Sequence, residues 1–125
     1  MTRNETEQFL RDFFEQFFCR HDLSAAERYL HPDYIQHDYD VAPGVGGFKA
    51  NFSKVFAIFP QFRVEIHHVI VDGDMAVVHA YGVTDPGKIE VLVTDIYRLQ
   101  DDRLAEHWGT VQQLPPEQFG NPALM

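Results

Sequence analysis

At Phe62 the rhythm of the chain changes. Before it, apolar residues recur every three or four positions; after it they alternate, and β-branched and aromatic residues become common. The first period belongs to helices with one buried stripe, the second to strands with one buried face. A chain with its helices first and its strands afterwards packs as α+β, with the helices laid on one face of a sheet.

Residues 5 to 20 carry Phe9, Leu10, Phe13, Phe14, Phe17 and Phe18 in pairs four apart, which predicts a helix with a wide apolar stripe. Ser24 followed three residues later by Glu27 has the form of a capping box and predicts a second, short helix ending near His31-Pro32. Asp33 to His37 reads as a short extended segment, and Ala42 to Gly47 as a loop of turn residues. A third helix follows, with Phe48, Phe52, Val55, Phe56 and Phe59 on one face and Pro60 closing it. Four strands are then expected at roughly 62–71, 75–84, 88–99 and 103–113. Asp72-Gly73, Pro86-Gly87 and Asp101-Asp102 separate them as turns of an antiparallel meander.

At 125 residues the chain is expected to form one domain, 1–125, with 115–125 as a peripheral arm rich in proline. Hydrophobic residues make up 45% and include 11 Phe, enough to wall a sizeable cavity. A formal charge of −9 repels polyanions, so nucleic acid and acidic membranes are set aside as partners. The lone Cys19 rules out an internal disulfide and a multi-cysteine zinc site, which suits a reducing compartment and a cytoplasmic location. The N-terminal segment lacks the apolar stretch of a secretory signal, and no later segment reaches membrane-span length.

Three stretches, in this order and spacing, closely resemble the SnoaL-like family of the NTF2-like superfamily. They are Tyr34-Ile35-Gln36-His37-Asp38, the hairpin Val71 to His79, and Asp95-Ile96-Tyr97-Arg98 with Glu106-His107-Trp108. The resemblance spans about residues 5 to 114. It implies a cone in which N-terminal helices pack on the concave face of a curved antiparallel sheet around an apolar pocket, with the opposite face forming a homodimer. It also implies cofactor-independent chemistry like that of polyketide cyclases, which close rings by intramolecular aldol reaction, or of ketosteroid isomerases. Asp38 falls where the isomerase base sits, and Asp95 where its neutral Asp sits. Phe13 stands in place of the isomerase hydroxyl donor. His107 stands near the acidic residue that the cyclases carry on the last long strand.

Strand alternation gives an independent reading of the same residues. Asp95 shares a face with Val91, Val93, Tyr97 and Leu99, an expensive place for a carboxylate unless it is paired, hydrogen-bonded or neutral. If Val77, His79 and Tyr81 share the concave face with Ala105, His107 and Gly109, then His79 and His107 point into the same volume as Asp95. One imidazole, hydrogen-bonded to Asp95, then gains a fixed tautomer and a strengthened basicity for taking a proton from carbon beside a carbonyl, and the other donates to the developing enolate oxygen. His37 and Asp38, with Tyr34 and Gln36, come at a strand end that makes a natural pocket rim. Tyr34, Tyr97 and Trp108 are aromatics with a polar tip, and Phe13, Phe52 and Phe56 are wall residues. No metal is expected: His67 and His68 are adjacent on a strand and should face opposite sides, and no other His or carboxylate spacing suits ligation on a sheet. His67 and Glu65 read as the solvent or dimer face, as does the row Leu92, Thr94 and Ile96. Three readings stay open: an enzyme abstracting a proton beside a carbonyl of a hydrophobic substrate, a binding protein for an apolar ligand, and a dimeric interaction module.

Overall fold

The computed structural model describes residues 1–85 and 88–125, with the side chains of 85–89 outside the description; the turn expected at Pro86-Gly87 therefore lies outside it. Helix α1 runs Arg3–Phe13 and opens with a capping box two residues from the chain start. The Glu5 amide donates to Thr2 Oγ1 at 3.1 Å and the Thr2 amide to Glu5 Oε1 at 2.9 Å. The helix then widens into a π turn, Phe14–Cys19, in which the Arg20 amide reaches back to the Glu15 carbonyl at 3.0 Å. The wider turn narrows the arc over which Phe13, Phe14, Phe17 and Phe18 spread, and all four are buried.

Helix α2, Ala25–Tyr29, forms without the capping box that its sequence suggests. Ser24 has a right-handed helical backbone, not the extended one of a cap, and its hydroxyl donates to Asp22 Oδ1 at 2.6 Å. Glu27 instead pairs with Lys49 Nζ at 2.5 Å. The helix passes at once into strand β1, Leu30–Gln36, earlier than the extended segment expected from the sequence. Helix α3 is Gly44–Ile58, so the glycine-rich stretch read as a loop supplies its first turn. A Cβ on Gly47 would stand 1.8 Å from the Ala42 carbonyl oxygen, so only glycine lets the preceding loop close over that turn. Phe59 lies past the helix end and is half exposed rather than part of the packed face.

Strands β2 (Arg63–Asp72), β3 (Met75–Asp85), β4 (Lys88–Gln100) and β5 (Arg103–Gln113) form the expected meander within a residue of the expected bounds. The sheet order is β1-β5-β4-β3-β2, and β1 runs parallel to β5. The curved sheet is therefore mixed rather than wholly antiparallel, because β1 enters beside β5 in the same direction and brings Gln36 opposite His107.

The helices pack on the face that carries Ala76, Val78, Ala80, Tyr97 and Leu104, all nearly inaccessible. Small residues on β3 let the phenylalanine-rich helices come close, and each fully buried Phe contributes about 2–3 kcal/mol of apolar transfer. On the other face Leu114 and Phe119 fold back against Tyr81, Val83 and Leu92, so the C-terminal segment packs there. Among the described residues the Tyr81 hydroxyl is the one sealed side-chain polar atom without a partner. No helix among them is long and apolar enough to cross a membrane.

Candidate functional site

Between α3 and the inner face of the sheet lies a cavity of about 270 Å³. Its walls are aromatic and aliphatic: Phe18, Phe48, Phe52 and Phe62 on one side, Val91, Val93 and Val111 on the other. Among the described residues the polar lining is Gln36, Asp38, Asn51, Asp95, Tyr97 and His107, with no lysine or arginine.

Asp95 and His107 form the floor. His107 Nε2 lies 2.7 Å from Asp95 Oδ1, and both residues are more than nine-tenths buried. The pairing is diagonal, since Asp95 faces Gly109 across the ladder and His107 faces Tyr97. From β1, Gln36 Nε2 approaches His107 Nδ1 at 3.0 Å. The Gln36 amide also donates to Asp38 Oδ2, and its carbonyl oxygen accepts from the Tyr34 hydroxyl.

This set of contacts assigns the protons. An amide NH₂ can only donate, so His107 Nδ1 accepts and its Nε2–H donates to Asp95. Both imidazole nitrogens are thus engaged, and His107 orients Asp95 rather than facing the cavity with a free nitrogen. Asp95 Oδ2 has no partner among the described residues, which leaves one carboxylate oxygen for a ligand. Burial, and after it the charges of Asp38 and Asp95, push the Tyr34 phenol far above its ordinary range, so it remains a donor.

The structure brings Asp95, His107, Asp38, Gln36, Tyr97 and Phe52 to this cavity and places the other expected residues elsewhere. His79 is on the outer face: it pairs across the ladder with Thr94, whereas Asp95 pairs with Val78. The expected parity of β3 is therefore inverted. His37 is turned outward as well, stacked on Trp108 with ring centres 4.8 Å apart and its Nε2 2.7 Å from Glu106 Oε2. It follows Gln36, the last residue of β1, and turns to the side of Trp108, which alternation on β5 places opposite His107 on the outer face. The His37 contact, followed by Arg98, holds the Glu106 carboxyl below its usual range. Tyr34 backs the site through Gln36 without lining the cavity, and Phe13 and Phe56 belong to the packed core.

The premise used for His67 and His68 also changes. A bulge between Ile66 and His68 leaves both exposed near His79, with His68 Nδ1 3.0 Å from His79 Nδ1. Among the described residues, no three His, Cys, Asp or Glu side chains are grouped to hold a metal ion. Of the cavity residues, Asn51 was given no part in the sequence reading and Gly109 only a place on the concave face. Asn51 carries no signal beyond its place on a helix, but Gly109 does: a glycine inside a strand marks a close approach, here of the Asp95–His107 pair.

A helical layer over a curved five-stranded sheet, with an apolar cavity between them, defines an NTF2-like α+β fold. The chain belongs to the SnoaL-like domain family, whose sequence profile matches residues 10–107. Its fold is shared by TsrD from Streptomyces laurentii, at 21% identity and a TM-score of 0.74 over 90% of this chain and 91% of that one. IdmH, a candidate polyketide cyclase from Streptomyces antibioticus, aligns at 19% identity and TM-score 0.71, covering 86% and 91%. A SnoaL-like protein of unknown function from Burkholderia thailandensis aligns at 16% identity and TM-score 0.75, covering 90% and 98%. No curated protein sequence matches this one closely enough to count as a relative.

Proposed function

We propose that this protein is a cofactor-independent enzyme that removes a proton from the carbon beside a carbonyl group of a hydrophobic small molecule, driving aldol-type cyclisation or isomerisation. The observation that carries this reading is the single free oxygen of Asp95, held by His107 at the floor of an apolar cavity. The Asp95 carboxylate takes the α-proton, and the C–H electron pair becomes the C=C bond of an enolate as the carbonyl π electrons move to oxygen. In a cyclisation the enolate carbon bonds to a second carbonyl carbon of the same molecule, and the resulting alkoxide recovers the proton from Asp95. In an isomerisation the proton returns to a different carbon. His107, fixed by Gln36, holds the carboxylate in one orientation through both transfers. The similarity in fold to IdmH is consistent with this class of chemistry.

The test is α-proton exchange of hydrophobic diketones in deuterated buffer, followed by NMR with the wild type and Asp95→Asn. Exchange above the buffer rate that disappears in the variant is expected; equal exchange by both proteins would sink the assignment.

A second reading, a non-catalytic binder of an apolar ligand, draws on the mutual hydrogen bonding of Tyr34, Gln36, Asp38 and His107. It predicts saturable binding of such ketones without exchange. For the outer face we propose a homodimer contact through Ile70, Thr94 and Ile96, of which Ile70 is 63% exposed; sedimentation showing only monomer at micromolar concentration would remove it.

A further inference from the structure

The cavity's polar groups differ in whether they are already satisfied. Gln36, Asp38 and His107 are engaged with one another, and Asp95 uses one oxygen on His107. Tyr97 lines the same cavity and is almost wholly buried, yet its hydroxyl makes no hydrogen bond with the described residues. Among the described residues the one hydroxyl that is both sealed and without a partner is that of Tyr81, so the Tyr97 hydroxyl is not sealed. The Tyr97 oxygen therefore keeps some accessible surface, and the residue lines the cavity. A hydroxyl withdrawn from bulk water without a protein partner is costly unless something else accepts its proton.

The place of this hydroxyl is specific. Tyr97 follows Asp95 by two residues on β4, so both project from the same face of the strand. Its ring lies against His107, with centres 5.0 Å apart. A free carboxylate oxygen and a free phenolic O–H thus face one apolar volume from neighbouring positions, one able only to accept and the other able to donate. An enolisable unit needs these two groups: a base at the α-carbon and a donor at the carbonyl oxygen, where negative charge accumulates.

Building on the proton-abstraction reading, we infer that the Tyr97 hydroxyl donates to the substrate's carbonyl oxygen and stabilises the enolate, and that the substrate is a neutral ketone or ester. Neutrality follows from the lining, which among the described residues has two carboxylates and no lysine or arginine to receive an acid or a phosphate. Burial, and then the charges of Asp95, Tyr34 and Asp38, raise the Tyr97 phenol well above its ordinary value, so the proton stays on the donor as the oxyanion forms.

The experiment uses the full chain, wild type, Tyr97→Phe and Asp95→Asn. Two probes are read: NMR-detected α-deuteration of cyclohexanone and its 2-carboxymethyl ester, and the absorbance of bound 4-nitrophenol, which reports how far it is held as phenolate. Tyr97→Phe removes no hydrogen bond to the described residues, so unchanged thermal stability is expected. The expected kinetic result is a fall in kcat of about 100-fold with KM within about threefold. Loss of the phenolate-like spectrum should accompany it, and the corresponding free acid should exchange no faster than in buffer.

Exchange by the wild type that Tyr97→Phe retains within threefold, with the nitrophenol spectrum unaltered, overturns the donor role while leaving Asp95 as base. Preferential exchange of the free acid overturns the substrate class. Absence of exchange by the wild type with both probes overturns the proton-abstraction reading itself, and this donor role with it.

Discussion

Gly109 stands opposite Asp95 across the β4–β5 ladder, and a Cβ there would lie 3.3 Å from Asp95 Oδ1 and 2.9 Å from His107 Cε1. The missing side chain is the space in which the imidazole and the carboxylate meet. Gly109→Ala should push the His107 ring off its bond to Asp95. The expected result is a loss of about 1–3 kcal/mol of stability in chemical denaturation, with a changed His107 imidazole spectrum. A variant with wild-type spectrum and stability would show that the ring has room to move.

The Gln36 side chain fixes which nitrogen of His107 carries the proton. Replacement by leucine keeps the approximate volume and removes the donor to Nδ1. Nitrogen-15 NMR of the histidine ring should show Nε2 protonated in the wild type and a loss of that single well-defined state in Gln36→Leu. A neutral hydrogen bond of about 1 kcal/mol corresponds to roughly a fivefold lower exchange rate.

His79 gives the fold a pH dependence distant from the cavity. Burial first, then His68 and His67, lower its pKa in the folded chain. The unfolded chain takes up the proton near the ordinary imidazole value of about 6.5, while the folded chain resists until lower pH. Stability is therefore undiminished above that value and falls as the pH drops through it, levelling only below the folded-state pKa. Melting temperatures of His79→Gln should decline less than those of the wild type between about pH 7 and 5; parallel curves would show that His79 does not resist protonation.

Filling the cavity separates ligand occupancy from folding. Val93→Phe adds a ring to the wall beside Asp95, into open volume rather than packed core. Binding of 4-nitrophenol should be lost while the melting temperature holds or rises, because added apolar contact carries no clash where space exists. Lost binding together with a marked fall in melting temperature would indicate a tightly packed wall instead.

The four long strands were legible in the sequence because their alternation and turn residues are local. Asp95 and His107 were legible for a related reason: each is a polar residue inside an apolar row. The face taken by His79 was not, since both rows of β3 are apolar enough to be buried. Only the register that sets Val78 against Asp95 decides between them. The parallel pairing of β1 is a long-range choice with no local signature. The same holds for the π turn at Phe14–Cys19, which satisfies four rings that compete for one core. Ser24 failed as a cap because Asp22 and Arg28 offered its hydroxyl other partners.

The bond between Gln36 and His107 ties together residues 71 positions apart. The β2–β5 meander can zip through neighbouring hairpins, but β1 must close a long loop before it reaches β5. During refolding, the wall that carries Asp95 should therefore exist before its imidazole is held in place. Competence for chemistry would be gained in the last docking step, later than compactness and later than most of the secondary structure.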